Sequence, residues 1–235
     1  WARSQGAAKV APVVLVGAGG GESLADRERV AAIFGQSYKK VESLLAPWAK
    51  ANDPLIRQDG GKWRVVGRED AWHWLSGHLT AVHCTRFAEN AEAVLCEINP
   101  RYGLKADERP FASIRGAVPS HSRRLHRALA ETLCFLSLRP SALGQSRTMP
   151  AAARGVVTKV FAKSADWRLW ASLDYALVFI SEATPDLFLK AVESDLKRDA
   201  PAVVALFGEA GNILFGEHPF VELMWALQGL LWEPE

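Results

Sequence analysis

The sequence has 235 residues, 49% of them apolar and 23% charged, with a formal net charge of +2. That much apolar content buries a core and excludes disorder over most of the length. Cys84, Cys96 and Cys134 are odd in number and form no C-x-x-C pair, which excludes a disulfide framework or zinc knuckle and predicts a reducing, cytoplasmic setting.

No run of about 18 apolar residues is free of charge, so no membrane span is expected. Trp1 is not an initiator Met, and Trp232-Glu233-Pro234-Glu235 reads as the close of a helix. Both features predict a segment of a longer chain. Residues 101–159 hold 11 Lys and Arg against 3 Asp and Glu, a balance of +8, whereas 160–235 hold 5 against 12, or −7. Such asymmetry points either to a basic contact surface or to basic and acidic helices that attract each other, and the second is favoured.

Along the chain, Val13–Val16 is a short β-branched run ended by Gly17-Ala18-Gly19-Gly20-Gly21. Val10 to Gly21 is apolar enough to suggest a signal-peptide core but lacks a basic start and runs directly into helix-capping chemistry, so an internal strand followed by a flexible loop is expected. The glycines do not suit a phosphate cradle, because the last position of a G-x-G-x-x-G match is Glu22 and no βαβ unit follows. Ser23 and Asp26 form an S-x-x-D capping signal ahead of Val30, Ile33 and Phe34. Tyr38, Val41, Leu44, Leu45 and Trp48 then recur at helical spacing, with Lys39, Lys40, Glu42 and Lys50 on the polar face.

Leu55–Gln58 and Lys62–Val66 flank Asp59-Gly60-Gly61, a turn favourable to a hairpin because glycine takes φ > 0 without strain. Two helices followed by a hairpin, with Val13–Val16 as third strand, predict a winged helix-turn-helix over residues 12 to about 68, in a domain spanning 1–80. Beyond it, 81–235 is expected to be an antiparallel α-helical array. Helices are predicted at Asp70–Leu79, Ala81–Ile98, Ala106–Gly116, Ser120–Leu138, Pro150–Lys163, Asp166–Ala183, Pro185–Arg198 and Pro219–Trp232. Thr184-Pro185-Asp186 supplies a cap, a first-turn proline and an early acid. No motif repeats at a fixed period, which leaves degenerate HEAT-like repeats or a bundle.

Chemistry-bearing motifs are scarce. His73, His78 and His83 recur every five residues, as do His121 and His126, a spacing that walks around a helix instead of stacking metal ligands. No metal, cofactor or catalytic residue is expected. The candidate contact residues are Lys39 and Lys40 on the second helix and Arg57, Lys62 and Arg64 on the hairpin, where they could meet backbone phosphate. Residues 1–82 carry 11 Lys and Arg against 8 Asp and Glu, only +3, so protein contact is favoured over nucleic acid.

The strings Ala165-Asp166-Trp167-Arg168-Leu169-Trp170-Ala171-Ser172-Leu173, Phe188-Leu189-Lys190-Ala191-Val192-Glu193, Leu214-Phe215-Gly216 and Leu223-Met224-Trp225-Ala226-Leu227 resemble the middle of large bacterial STAND-type NTPases of the antiviral sensor kind. So does Gly61-Lys62-Trp63-Arg64-Val65-Val66-Gly67-Arg68-Glu69-Asp70-Ala71-Trp72, which is similar to the part that follows their NTPase core. The resemblance spans roughly 22–235. It implies a regulatory segment whose winged helix contacts an ATPase domain at rest and whose helical array begins an arm sensing a phage protein. It also allows oligomerisation of the whole protein. ATP-binding and effector residues match nothing here and would lie elsewhere in the chain. The rival expectation is a winged-helix nucleic-acid-binding transcriptional regulator with a helical dimerisation or ligand domain.

Overall fold

The structure, a computed structural model, describes residues 6–20, 23–139, 148–209 and 218–231. It is mainly helical with one small three-stranded sheet. Gly21, Glu22 and the Leu214–Gly216 string lie outside the described residues.

The chain opens with two short helical turns, α1 (Ala7–Val10) and α2 (Val13–Val16). The strand expected at Val13–Val16 is therefore helix. Pro12, with its φ near −58°, is compatible with a helix start, and all four following side chains are buried. Gly17, at φ 69°, ends the turn as its N–H bonds to Val13 O.

The strand lies just beyond, where a flexible loop was expected. β1 (Ala18–Gly20) pairs antiparallel with β3 (Lys62–Val65), which pairs antiparallel with β2 (Ile56–Asp59), giving the order β1-β3-β2. Glycine is a poor strand former, but here other atoms occupy the space of a Cβ. One on Gly19 would meet the Trp63 ring at 2.8 Å, and one on Gly20 would meet Gly61 O closely and Tyr38 Oη at 3.0 Å. The glycine run closes the sheet against its own core.

Between β1 and β2 lie α3 (Leu24–Phe34) and α4 (Tyr38–Ala49). Ser23 caps α3 by accepting from Asp26 N at 3.1 Å, as its spacing predicts. Asp26 does not complete a reciprocal box. Its fully buried carboxylate accepts from Ser122 N at 2.9 Å instead. Gly60 and Gly61 turn the β2–β3 hairpin at φ 53° and 77°, facing Trp63 and Val65 inward and Lys62 and Arg64 outward.

After α5 (Arg68–Leu75) and α6 (Ala81–Leu95), the chain returns as α7 (Arg123–Leu138), which packs on α2 and β1. Two compact units result: residues 1–91 with 120–153, and 92–119 with 154–235. They divide the chain differently from a single boundary at residue 80. The first core gathers Val13–Val16, Val30, Ile33, Leu45, Ile56, Trp63, Trp72, Leu129 and Leu133.

The second unit holds α9 (Trp167–Leu173), α10 (Ala176–Ala183), α11 (Pro185–Leu196), α12 (Ala202–Gly208) and α13 (Val221–Leu230); α8 (Thr148–Phe161) crosses the division in sequence. The helix expected at Ala106–Gly116 is replaced by turns with a 3-10 segment at Arg109–Phe111. Pro110 accounts for this by denying the backbone a donor and disfavouring α geometry at Arg109. Asp174, at φ 48°, breaks the helix expected over Asp166–Ala183. α12 has no counterpart among the predicted helices; its start is held by buried Asp195, whose Oδ2 accepts from Val203 N at 2.8 Å. Thr184 precedes Pro185 as expected, but its hydroxyl donates back to Ile180 O instead of capping α11.

Candidate functional site

All five cations singled out in the sequence are exposed in the first unit. Hairpin register brings two of them together: Arg57 stands directly opposite Arg64, and Lys62 opposite Asp59. Side chains of directly opposed residues share one face with Cβ atoms about 5 Å apart, and like charges so placed repel. Lys62 lies two residues from Arg64, on the same face and about 7 Å along the strand. A signal for this pairing is present in the sequence, because a two-residue turn at Gly60-Gly61 sets Asp59 against Lys62 and counts out Arg57 against Arg64.

Lys39 and Lys40 occupy the first turn of α4, which contains no acid. The positive end of a helix disfavours cations in that turn. Tyr38, beside them, reaches the hairpin, since its hydroxyl borders the Gly20 position next to Gly61. Arg27 lies over the Tyr38 ring at 5.6 Å. Burial pushes the Tyr38 phenol up. Among the described residues neither its hydroxyl nor the Trp63 indole N–H finds a hydrogen-bond partner.

Sequence reasoning gave no role to Arg68. Its side chain, only 13% exposed, pairs with Glu131 Oε2 at 2.8 Å. It also donates to Ala128 O at 3.0 Å, Val14 O at 3.2 Å and Thr132 Oγ1 at 2.6 Å. The guanidinium lies 5.4 Å from the Phe135 ring centre, and Phe135 stacks on Trp72. Thr132 in turn bonds Leu15 O at 2.9 Å. Arg68 and Thr132 thus satisfy carbonyls left open at the end of α2. Burial lowers the Arg68 pKa and Glu131 raises it, but a guanidinium keeps its proton throughout. No local signal announces this hub, because its partners lie 54 to 64 residues away.

A comparable hub orders the second unit. Arg109 pairs with Glu209 and lies 5.5 Å from the centre of the Tyr102 ring and 5.3 Å from that of Trp167. Nearby, Ala165, Asp166 and Trp167 face Ala200, Pro201, Ala202, Val204 and Ala205 across an open groove of about 530 Å³. Asp166 is engaged by Arg168, whose guanidinium holds its carboxyl below the usual range. The groove therefore presents mainly small apolar side chains.

The histidines take up separate tasks. His83 Nδ1 accepts from Thr80 N at 3.2 Å, while Thr80 Oγ1 accepts from His83 N at 3.4 Å, a reciprocal cap at the start of α6 with histidine in the place of the usual Glu or Gln. His121 Nε2 accepts from Arg29 at 3.3 Å. Among the described residues, no three His, Cys, Asp or Glu side chains converge to hold a metal, and no helix is long and apolar enough to cross a membrane.

No protein-family model, no curated protein and no solved structure matches the chain.

Proposed function

We propose that this chain is a non-catalytic regulatory and interaction segment of a multidomain signalling NTPase, in which a winged helix-turn-helix relays ligand sensing by a helical array to an ATPase and its effector. The first unit supports the winged-helix part: helix, β1, α3, α4, β2 and β3 follow in order, with β3 central in the sheet. In the second unit α9 packs on α12 and α10 on α13, which favours a bundle over a simple stack of repeats. The NTPase context rests on the resemblance of the strings around Trp63, Trp167, Phe188 and Trp225.

The observation that carries the relay is the path of the chain, which passes between the two units three times, at residues 91/92, 119/120 and 153/154. Three covalent crossings in place of a single linker support the relay reading. The reading assigns this chain no catalytic residue, metal or cofactor; its partner is an ATPase domain of the same protein, with a phage protein as ligand of the sensing arm.

Two measurements test it. The parent gene is expected to encode a G-x-x-x-x-G-K-[ST] loop upstream of this segment, and the purified chain is expected not to turn over ATP. A gene without that loop, or ATP hydrolysis by the chain itself, would sink the proposal.

A further inference from the structure

We infer that the outer face of the β2–β3 hairpin, together with the start of α4, binds the sugar-phosphate backbone of duplex nucleic acid through Arg57, Arg64, Lys62, Lys39 and Lys40. The inference stands on this surface alone and does not depend on the relay role.

Three observations carry it. These cations make no ion pair among the described residues, whereas Arg68 pairs with Glu131 and Arg139 with Glu69 in the same unit. Two of the placements oppose folding: Arg57 faces Arg64 across the strands, and Lys39 and Lys40 sit at the positive end of α4. An external anion relieves both. Tyr38 ties the start of α4 to the hairpin, since its backbone begins that helix and its buried hydroxyl borders Gly20 beside Gly61.

The third observation selects the partner. Between Arg27 and His73, the stretch that carries all five cations, no large apolar side chain is exposed; the exposed ones of this unit, Leu24, Trp74, Val82 and Leu138, lie outside it. A protein interface needs buried apolar or aromatic anchors at its centre. A phosphate backbone needs only cations at suitable spacing and tolerates a wholly polar surround. The same lack of apolar side chains disfavours a membrane surface, into which nothing here would insert. Cation spacings of about 5 Å across and 7 Å along the hairpin suit successive phosphates.

The test uses the intact chain and a fluorescein-labelled random-sequence 30-base-pair duplex, followed by anisotropy from 50 to 200 mM NaCl. Five phosphate contacts give a slope of log affinity against log salt near −4.5, or about a 500-fold loss over that range. Arg57→Ala/Arg64→Ala should flatten the slope by about 2 while leaving the melting midpoint equal or higher, and Lys39→Ala/Lys40→Ala should flatten it similarly. Absence of duplex binding at 50 mM NaCl overturns the inference. So does an unchanged slope in the Arg57/Arg64 variant, or a lowered melting midpoint, which would make the pair structural. Capture of polyglutamate or of phosphatidylserine vesicles in place of duplex also overturns it, in favour of an acidic protein or a lipid surface.

Discussion

Arg68→Ala removes the best-connected side chain of the first unit, and the expected loss can be worked out from its partners. Glu131 is about one-third exposed and can turn to water, so its loss of the ion pair counts for little. Thr132 keeps its bond to Leu15 O. Among the described residues Val14 O has no other partner, and it becomes an orphaned buried carbonyl, at about 1–3 kcal/mol. The vacated guanidinium volume against Phe135 adds about 1 kcal/mol of lost cation–π contact. The sum, about 2–4 kcal/mol, overlaps the low end of what breaking a buried charge pair usually costs, and it corresponds to a melting point lower by roughly 10 °C. Urea unfolding followed by the fluorescence of buried Trp63 and Trp72 measures it. Arg68→Lys should retain part of the stability, since one ammonium can reach only some of the four acceptors. A loss below about 1 kcal/mol, or no coupling between Arg68→Ala and Thr132→Val in a double-mutant cycle, would refute the reasoning.

Other outcomes follow from the same geometry. Gly20→Ala should destabilise by more than about 2 kcal/mol, because its φ is 81° and a Cβ there strikes Gly61 O, whereas Gly60→Ala, with open space around it, should lose about 1 kcal/mol; thermal melts of the two variants compare them. Burial and Arg86 hold the His83 imidazole below its ordinary range. The unfolded chain therefore binds that proton more tightly, so the cap's contribution of about 1 kcal/mol is present above about pH 6.5 and is lost as pH falls through the folded-state value. His83→Gln, which keeps an acceptor, should be less sensitive than the parent between pH 7.5 and 5, as read by urea unfolding at each pH. Burial pushes the Cys84 thiol up, and its Sγ donates to Thr80 O at 3.3 Å. Mass-spectrometric labelling with iodoacetamide at pH 8 should modify Cys84 at least about tenfold more slowly in the folded chain than in urea.

Local chemistry was readable wherever its cause was local. The Gly60-Gly61 turn, the alternation around Trp63 and the Ser23 cap each depend on residues within a few positions. Val13–Val16 misled because a four-residue apolar run fits a buried strand and a buried helical turn equally well. β1 stayed hidden because its glycines are selected by the crowding of Trp63, Tyr38 and Gly61, more than 15 residues distant, and not by strand propensity. α12 went unseen for the same kind of reason, as the group that holds its start, Asp195, belongs to the preceding helix. The five surface cations could be found by pattern, yet their lack of ion-pairing partners among the described residues is visible only in three dimensions.

The return of α7 onto α2 also sets an order of events during synthesis. Thr132 meets Leu15 across 117 positions, and Arg68 meets Glu131 across 63. At roughly 5–20 residues per second, the ribosome takes roughly 3–13 s to travel from the first member of the Arg68 pair to the second. Through that interval the sides of α2 and β1 that α7 covers stay open, although the hairpin and both helices of the N-terminal module have already been made. A nascent chain halted near residue 80 is therefore a natural client for a holding chaperone, and a gene truncated there should yield aggregate in place of a free-standing domain.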